Sequence, residues 1–397
     1  MKTKILFIMS SLRNGGAERS LVNLLQLFDY QKYEVDLLLF QEEGIFLEQL
    51  PNEVHILHDC DILHLLYAKG NNRIKGIKHP LLTFDHYWGT FWARKKTESM
   101  YASRQYRWEH YYKDRIPSIK TKKYDVAISY LHGEQLYYLV DKVDAKRKIA
   151  WIHTDYSKLD TDIELDLEMW DKYDYIFAVS EECKNSFLSK YPSLLNKVNV
   201  LENITAVNFI QKMANEEVKD FNTKKNEFSL LSVARFSPAK GIDNAVKALK
   251  VLHNRGLTNI KWNVVGYGGD EENIRKLIKD NNLEDSFILL GKKTNPYPYM
   301  KKCDLYVQPS RYEGKAVTVV EAQILNKPVL ITNYPTAKSQ VKENYDGVIC
   351  ELSVEGIADG VEELFKNRMK LNALEENCKK TNYSNSYELE KLYSLYR

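Results

Sequence analysis

Two glutamates flank a glycine-bearing turn within residues 310–321. A short apolar run at 305–307 precedes the turn and predicts a strand, while residues 319–325 predict a helix. The first turn of a helix leaves backbone N–H groups without partners and carries partial positive charge, so a phosphate can dock there. Glu313 and Glu321 can each accept two hydroxyl hydrogen bonds. A phosphate with carboxylates on either side indicates a nucleotide sugar as the ligand.

The predicted phosphate site is formed mainly by backbone. A phosphate can dock near Val317 and Thr318, and Gly314 lets the loop turn tightly or lets a ligand approach. Lys315 and Ala316 complete the nucleotide-sugar-binding residues predicted in this segment.

The segment resembles the E-x7-E signature of retaining glycosyltransferases with the GT-B fold, most closely glycosyltransferase family 4. The resemblance implies that Glu313 lies near the donor sugar and that Glu321 binds the nucleotide ribose. Two solvated glutamates on a capped helix would show the same spacing. The family often has an aromatic residue and a glycine after the first glutamate, where this chain has Lys315 and Ala316. Because of this departure, the family pattern does not define the residues of the donor-sugar pocket. Lys315 could contact an acidic group or the acceptor.

Earlier strands of the same half also end in residues suited to a nucleotide. Arg235 and Lys240 lie on a loop after the strand 228–233, where two cations can converge on one anion. They match the R-x-x-x-x-K-G positions that hold the donor diphosphate in the family. Gly268 lets backbone pass close to the nucleotide, and the resemblance places the base near Gly291 and Lys292. These matches fall at the ends of successive strands, and their joint occurrence favours the glycosyltransferase interpretation.

Two features of the amino-terminal half fit the same family. Gly15 and Gly16 belong to a G-G-A-E-R loop that closes over the donor diphosphate in the family, although a simple connecting turn would have the same composition. His153 follows the predicted strand 148–152, at the edge where open α/β sheets bind ligands. The resemblance places this histidine near a hydroxyl of the donor sugar.

Composition limits the class of protein. A chain of 397 residues is long enough for two domains, and a net charge of +3 does not indicate a nucleic acid partner. Five scattered cysteines indicate reduced thiols in a cytoplasmic protein. No run approaches the roughly 18 apolar residues of a membrane span, so a membrane role would be peripheral.

Two D-x-D sequences, at 59–61 and 160–162, match the metal-binding pattern of the other large glycosyltransferase fold. That fold places the motif in a different sheet arrangement, so both are interpreted as surface residues. We expect no metal and no cofactor other than the nucleotide-sugar donor, which is a substrate, because protein cations take the metal's role.

Aromatic and basic residues alternate between positions 86 and 123. The aromatic residues are Trp88, Phe91, Trp92, Tyr101, Tyr106, Trp108, Tyr111 and Tyr112, and the basic ones are Arg94, Lys95, Lys96, Arg104, Arg107, Lys113, Arg115, Lys120, Lys122 and Lys123. This mixture suits contact with the inner face of a membrane. It would also suit stacking on single-stranded nucleic acid, which nothing else supports, or a helical pair whose aromatic face packs on the sheet.

Strands separated by helical stretches recur through the chain and predict an α/β fold with parallel sheets. The resemblance implies the GT-B arrangement, in which two Rossmann-like domains face each other across a cleft. The predicted domains are an acceptor-binding domain at 1–203 and a nucleotide-sugar-binding domain at 204–375. A helix at 376–397 is expected to return to the first domain.

The predicted function is transfer of a hexose, with retention, from a nucleotide-diphosphate sugar, expected to be a UDP-sugar. The acceptor is a saccharide or a lipid-linked saccharide of bacterial surface polysaccharide synthesis. The predicted catalytic residues are Glu313, His153, Arg235 and Lys240. A nucleotide-sugar 2-epimerase of the same fold and a noncatalytic protein that binds sugars or lipid surfaces are the alternatives.

Overall fold

The computed structural model describes residues 2–13, 15–58, 63, 80–221 and 226–395. The chain divides into two compact units, one formed by Met1–Ile204 with Ser386–Arg397 and the other by Thr205–Asn385. In the described residues, the first unit contains a seven-stranded sheet and the second a six-stranded sheet, and all strand pairs are parallel. The predicted α/β class with two parallel-sheet, Rossmann-like domains is confirmed.

The sheet of the first unit has the strand order β3-β2-β1-β4-β5-β6-β7. Its strands are β1 (Thr3–Met9), β2 (Tyr33–Leu39), β3 (Val54–Ile56), β4 (Ile119–Ser129), β5 (Val143–Ile152), β6 (Tyr175–Ala178) and β7 (Val198–Val200). Residues 5–9 of the central strand β1 are fully buried. This continuous apolar run is what a parallel strand covered on both faces requires.

Helices connect these strands. They are α1 (Gly16–Gln26), α2 (Pro80–Lys96), α3 (Met100–Arg107), α4 (Glu134–Lys142), α5 (Ile163–Asp171) and α6 (Glu181–Lys190), with a π-helical turn at Trp108–Tyr112 and 3-10 turns at Leu47–Gln49, Tyr156–Lys158 and Pro192–Lys197. Helix α1 shows the amphipathic pattern of these helices. Leu21, Leu24 and Leu25 stand at positions i, i+3 and i+4, which share one face of a helix, and all three are buried.

The sheet of the second unit has the strand order β10-β9-β8-β11-β12-β13. Its strands are β8 (Phe228–Val233), β9 (Ile260–Val265), β10 (Phe287–Gly291), β11 (Leu305–Gln308), β12 (Val329–Thr332) and β13 (Gly347–Cys350). Its helices are α7 (Val207–Met213), α8 (Ile242–Asn254), α9 (Glu271–Asp280), α10 (Tyr297–Lys302), α11 (Val317–Ile324), α12 (Val354–Lys366) and α13 (Arg368–Lys380), with 3-10 turns at Pro238–Lys240 and Ala337–Ser339. Because β8 and β11 are neighbours, the loops that follow them lie side by side.

The chain ends in helix α14 (Glu388–Ser394), which belongs to the first unit. Tyr393 on α14 stacks on Tyr33 with 4.8 Å between ring centroids, and its hydroxyl accepts a hydrogen bond from the Asp29 N–H at 2.9 Å. The predicted boundary at 375/376 falls inside α13, and the helix predicted over 376–397 is interrupted. The Asn382 side chain accepts the Ser384 N–H at 3.0 Å, which forms a turn between α13 and α14.

None of the helices in the described ranges has both the length and the apolar character needed to cross a bilayer.

Candidate active site

The centre of the site in the second unit is an ion pair between Lys240 and Glu313. Lys240 precedes α8 and Glu313 lies on the loop after β11, so the adjacency of β8 and β11 brings their loops together. The Lys240 Nζ atom is 2.7 Å from each carboxylate oxygen of Glu313. The lysine side chain is 29% exposed and the glutamate side chain is 8% exposed. The carboxylate is therefore held in a largely desolvated position with one cation beside it.

Two further side chains donate to the same carboxylate. The Ser310 hydroxyl lies 2.7 Å from Glu313 Oε1, and the Gln308 amide nitrogen lies 3.1 Å from it. The Tyr306 hydroxyl donates to Gln308 Oε1 at 2.9 Å and so orients the amide. Gln308 and Ser310 were not predicted as site residues. The signal that could have found them is that both are polar, with Gln308 at the end of a fully buried strand and Ser310 just after it.

A close backbone approach holds the two loops together. Gly241 adopts φ +64°, and a Cβ built on it would lie 2.0 Å from the Pro309 carbonyl oxygen. The Arg311 N–H also donates to the Ala239 carbonyl at 2.8 Å. Only glycine fits position 241 without moving the loop that carries Lys240.

The Arg311 side chain fixes the start of α8. Its guanidinium donates to both carboxylate oxygens of Asp243, at 2.8 and 2.7 Å. Burial alone would raise the pKa of Asp243, but hydrogen bonding and the charge of Arg311 lower that pKa below its usual value. Arg311 was not predicted as a site residue, and its role is to position the Lys240 loop.

The amino terminus of α11 has N–H groups available to an anion. The Ala316 N–H donates to the Gln340 side chain at 3.0 Å, and no side chain caps the helix. In the part of the chain that the structure describes, the N–H groups of Val317 and Thr318 make no hydrogen bond. The Thr336 hydroxyl donates to the Glu313 carbonyl at 3.0 Å, so the segment after β12 also braces the turn.

Glu321 faces the interior of the second unit. Its side chain has no exposed surface, and its Oε1 atom accepts a hydrogen bond from the Tyr297 hydroxyl at 2.9 Å. The ribose contact implied by the resemblance stays a prediction.

The other predicted residues of this unit lie along the same sheet edge. Phe236 and Gly268 form a bridge, and a Cβ on Gly268 would lie 2.2 Å from the Phe236 carbonyl oxygen, so the backbones after β8 and β9 touch. Gly291 ends β10 at φ +72°, and the Lys292 ammonium is 5.3 Å from the Tyr267 ring centroid. Arg235 is exposed and makes no ion pair with the residues described, so it does not join the Lys240–Glu313 cluster.

In the first unit, His153 follows β5 and packs between aromatic rings. Its ring centroid is 4.8 Å from that of Tyr130 and 6.2 Å from that of Trp151. Neither ring nitrogen has a hydrogen-bond partner among the described residues. Burial and the neighbouring His132 lower the pKa of His153 to about 3, so the ring is neutral near pH 7. A neutral imidazole donates one hydrogen bond from its protonated ring nitrogen and accepts one at the other nitrogen.

The predicted glycine loop begins α1. Gly15 is the residue before the helix, and a Cβ on it would lie 1.9 Å from a Glu18 carboxylate oxygen. Gly16 is exposed and has no atom within 4 Å of a built Cβ. Because the Glu18 carboxylate ends a flexible side chain that can move aside, the backbone packing restricts neither position.

The aromatic and basic stretch separates into buried and exposed parts. Trp108 and Tyr112 are buried in the first unit, as the packing alternative predicted. On α2, by contrast, six apolar side chains are between 39% and 67% exposed: Leu81, Phe84, Tyr87, Trp88, Phe91 and Trp92. Their cationic neighbours Arg94, Lys95 and Lys96 are exposed as well.

One of the two D-x-D sequences, at 160–162, lies within the described residues at the start of α5. Asp162 caps α5 by accepting the Leu165 N–H at 3.3 Å, and Asp160 is exposed. The other pair, at 59–61, lies outside the described residues. Within the described ranges, no group of three or more His, Cys, Asp or Glu side chains is placed to hold a metal ion.

Residues 213–381 match the family model for glycosyl transferases group 1. This match contains β8 to β13 and the Lys240–Glu313 cluster. The second unit carries a group 1 glycosyltransferase domain. The resemblance predicted from the sequence is thereby confirmed at the level of this GT-B family.

Curated relatives of this glycosyltransferase domain include an uncharacterized glycosyltransferase of Methanocaldococcus jannaschii, MJ1059, which is 30% identical over 189 residues, or 47% of this chain and 46% of the relative. The poly(ribitol-phosphate) alpha-N-acetylglucosaminyltransferase of Staphylococcus aureus is 28% identical over 44% of this chain and 34% of its own length. The chain thus spans less than half the length of these two relatives. The N-acetylgalactosamine-N,N'-diacetylbacillosaminyl-diphospho-undecaprenol 4-alpha-N-acetylgalactosaminyltransferase of Campylobacter jejuni is 22% identical over 93% of this chain and 94% of that protein.

Solved structures show the same fold. Anabaena HepE in complex with UDP-glucose superimposes with a TM-score of 0.68 at 17% identity, covering 98% of this chain and 99% of HepE. A variant of S. aureus TarM in complex with Fondaparinux, alpha-GlcNAc-glycerol and UDP gives a TM-score of 0.68 at 16% identity, covering all of both chains. At these identities the likeness concerns the fold alone.

Proposed function

We propose that the protein is a retaining glycosyltransferase of family 4 type that transfers a hexose from a UDP-sugar to a saccharide or lipid-linked saccharide. The observation that carries the proposal is the Lys240–Glu313 pair beside the open amino terminus of α11, all within the second unit. A desolvated carboxylate can bind sugar hydroxyls, while the cation and the N–H groups of Val317 and Thr318 can bind a diphosphate.

The geometry allows Lys240 to bind the Glu313 carboxylate and a donor phosphate at the same time. An ammonium has three N–H donors, and two of them point to the oxygens of Glu313. The third can reach a phosphate oxygen because the lysine side chain is partly exposed. Glu313 would thus hold Lys240 in place and would also contact the donor sugar.

In the proposed reaction, the bond between the sugar C1 and the phosphate oxygen breaks and UDP departs. The acceptor hydroxyl attacks C1 from the same face, its oxygen forms the new glycosidic bond, and its proton passes to the leaving phosphate. Lys240, Arg235 and the α11 terminus would stabilise the negative charge that develops on the diphosphate. Since these groups supply positive charge, we expect turnover to persist in EDTA.

The remaining site residues take the roles that the resemblance implies. Glu321 is proposed to bind the ribose, and Gly268, Gly291 and Lys292 to border the nucleotide. Gly314, Lys315 and Ala316 are proposed to form the turn beside the phosphates, and Gly15, Gly16 and His153 to contact the diphosphate and the sugar.

The comparisons support transfer rather than epimerisation. The relatives named above are glycosyltransferases, and the Campylobacter protein acts on a diphospho-undecaprenol-linked saccharide by its name. HepE and TarM were solved with UDP or UDP-glucose bound. We therefore propose a UDP-sugar donor and a role in bacterial surface polysaccharide synthesis.

We also propose peripheral contact with the inner face of the membrane through α2, which overlaps the predicted 86–123 stretch and extends it to Pro80. Exposed rings followed by Arg94, Lys95 and Lys96 suit an interface where rings lie at the headgroups and cations meet anionic lipid. No nucleic acid partner is proposed.

The function is tested by a thermal-shift panel of nucleotide sugars on the full chain, since a ligand of the native form raises Tm. We expect one UDP-sugar to raise Tm and to be consumed only when a saccharide acceptor is added, with the anomeric configuration retained by NMR. Lys240→Ala should abolish the shift, whereas the matched control Lys247→Ala, at an exposed position on α8, should preserve it. Consumption without acceptor, with appearance of a C2 epimer, would favour the epimerase; a shift with no turnover for any acceptor would favour a binding protein.

A further inference from the structure

The first unit contains a cavity of about 410 Å³ at the carboxyl edge of its sheet. Residues after β1, β2 and β4 form one wall, and α3 with the start of α4 forms the other. The volume is in the range of small-molecule sites and can hold a monosaccharide with one further substituent.

The lining of this cavity has more positive than negative charge. Three arginines, Arg13, Arg104 and Arg107, line it together with one carboxylate, Glu134. Arg107 lies beside Glu134, with Nη2 and Oε1 3.7 Å apart, and Arg13 pairs with Glu43, which lies outside the lining. Arg104 forms no ion pair within the described part of the chain, although its charge acts on the buried Glu134 carboxylate and opposes the rise that burial causes in the pKa of that group. Arg104 and Arg107 together carry one positive charge more than Glu134 balances, and this surplus is available to an anion.

Two buried polar atoms at the cavity lack partners. The Nε atom of Arg107 and the Nδ1 atom of His132 have no hydrogen-bond partner among the described residues. Burial and the nearby Arg104 lower the pKa of His132 to about 4, so this ring is neutral near pH 7. Buried polar groups without partners are uncommon in folded proteins, so these two atoms mark the polar side of the cavity.

We propose that this cavity binds the acceptor saccharide through an anionic substituent, a phosphate or a carboxylate, which pairs with Arg104. The inference rests on the proposed function, because it names the class of acceptor for that transferase. The Arg107 guanidinium, which also lines the cavity, supplies a second positive charge to the anion, and Glu134 and Tyr101 can bind sugar hydroxyls. The arrangement selects an acidic acceptor over a neutral one, since a neutral sugar would leave the surplus positive charge of Arg104 and Arg107 over Glu134 uncompensated.

The test measures ligand binding to the full chain by calorimetry, with UDP present in excess to occupy a donor site. The probes are glucose 1-phosphate, glucuronic acid and methyl glucoside, so that phosphate, carboxylate and neutral forms are compared. We expect at least one acidic probe to bind at least tenfold more tightly than methyl glucoside. Arg104→Gln should weaken that binding about tenfold, and Arg104→Lys should restore part of it. Arg275→Gln, at an exposed arginine of the second unit outside the cavity, is the matched control and should leave probe binding unchanged.

The affinity for UDP separates this inference from the proposed function. Arg104→Gln should leave the Kd for UDP within twofold of the unmodified value, and its Tm should show that the variant is folded. Equal affinity of Arg104→Gln and the unmodified protein for the acidic probes would overturn the inference, as would equal loss of UDP binding. If UDP-sugars bind and react while no acidic probe does, the site assignment fails and the proposed function stands; if acidic probes bind through Arg104 but no nucleotide sugar binds, the proposed function fails and the anion site stands.

Discussion

The Lys240 ammonium lies 2.7 Å from both carboxylate oxygens of Glu313, across a separation of 73 residues in the chain. The glutamate is nearly buried and the lysine is not, so removal of the lysine and removal of the glutamate charge have different consequences. Without the lysine, the carboxylate keeps the Ser310 and Gln308 donors but loses its counter-charge. Without the glutamate charge, the ammonium can turn towards water.

A double-mutant cycle on this pair should show coupling. We expect Lys240→Ala and Glu313→Gln each to lower the free energy of unfolding by about 1–3 kcal/mol, because water reaches Lys240 and replaces part of the lost interaction. The double variant should be less destabilised than the sum of the two by about 1 kcal/mol or more. Urea unfolding of the four proteins measures this coupling, and additive effects would show that the ion pair contributes nothing.

Replacement of Gly241 tests the close approach that holds the two loops together. Gly241→Ala should cost more than about 3 kcal/mol of unfolding free energy, because it combines a left-handed φ with a Cβ 2.0 Å from the Pro309 carbonyl oxygen. Gly256→Ala is the matched control, since its φ is +84° but no atom lies within 4 Å of the added Cβ. It should cost only about 1–2 kcal/mol. Similar losses at both glycines would mean that the loops adjust freely.

The fold could be predicted from the sequence because most of its strands are visible as short apolar runs. The apolar runs of β1 and β8 to β12 are each followed by turn residues and a helical pattern, which is the signature of a parallel α/β sheet. The tail was less predictable. Residues 381–387 divide it into two helices, and the side-chain hydrogen bonds of Asn382 and Asn385 in this segment do not show in the periodicity.

The residues of the candidate site were predictable but their pairing was not. Spacing placed Lys240 and Glu313 at strand ends, yet their contact depends on β8 and β11 being neighbours, which is a matter of strand order. Buried polar networks also escaped prediction. Asp166 looks like a surface residue of α5, but it is fully buried because the hydroxyls of Tyr137, Tyr156 and Tyr191 all donate to it, at 2.7 to 2.9 Å.

Acid should destabilise the first unit through its buried histidines. The pKa of His153 falls from an ordinary 6.5 to about 3 in the folded protein. Between these pH values, His153 binds a proton in the unfolded chain and stays neutral in the folded protein. The contribution of the neutral His153 ring to the free energy of unfolding is therefore fully present above pH 6.5. It declines as the pH falls towards 3, by up to about 1.4 kcal/mol per pH unit.

The measurement compares urea unfolding at pH 7, 6 and 5 for the unmodified chain and His153→Gln, which cannot gain this proton. We expect the slope with pH to be smaller in the variant by about 1 kcal/mol per unit. His110→Gln, at an exposed position, should keep the slope of the unmodified protein. Identical slopes in all three proteins would show that His153 is as easily protonated in the folded state as in the unfolded one.

The exposed face of α2 predicts reversible binding to anionic membranes. The Phe84 and Trp88 rings stack 5.7 Å apart, and the Lys95 ammonium lies 4.7 Å from the Phe91 centroid, so rings and charge form one surface. Vesicles containing phosphatidylserine should bind the protein, and vesicles of neutral lipid should bind it less, because each cation at the surface contributes about 1 kcal/mol. Sedimentation with vesicles of both compositions measures the difference.

Variants on α2 separate the contributions of rings and charge. Trp88→Ala with Phe91→Ala should weaken binding to both kinds of vesicle, since the rings insert at the headgroup level. Lys95→Gln with Lys96→Gln should weaken only binding to anionic vesicles, and added salt should reduce it in the unmodified protein. Exposed residues elsewhere provide the matched control: Tyr312→Ala and Met369→Ala remove apolar side chains of the second unit and should leave sedimentation unchanged. Equal binding of the Trp88/Phe91 double variant and the unmodified chain would show that the α2 face does not meet the bilayer.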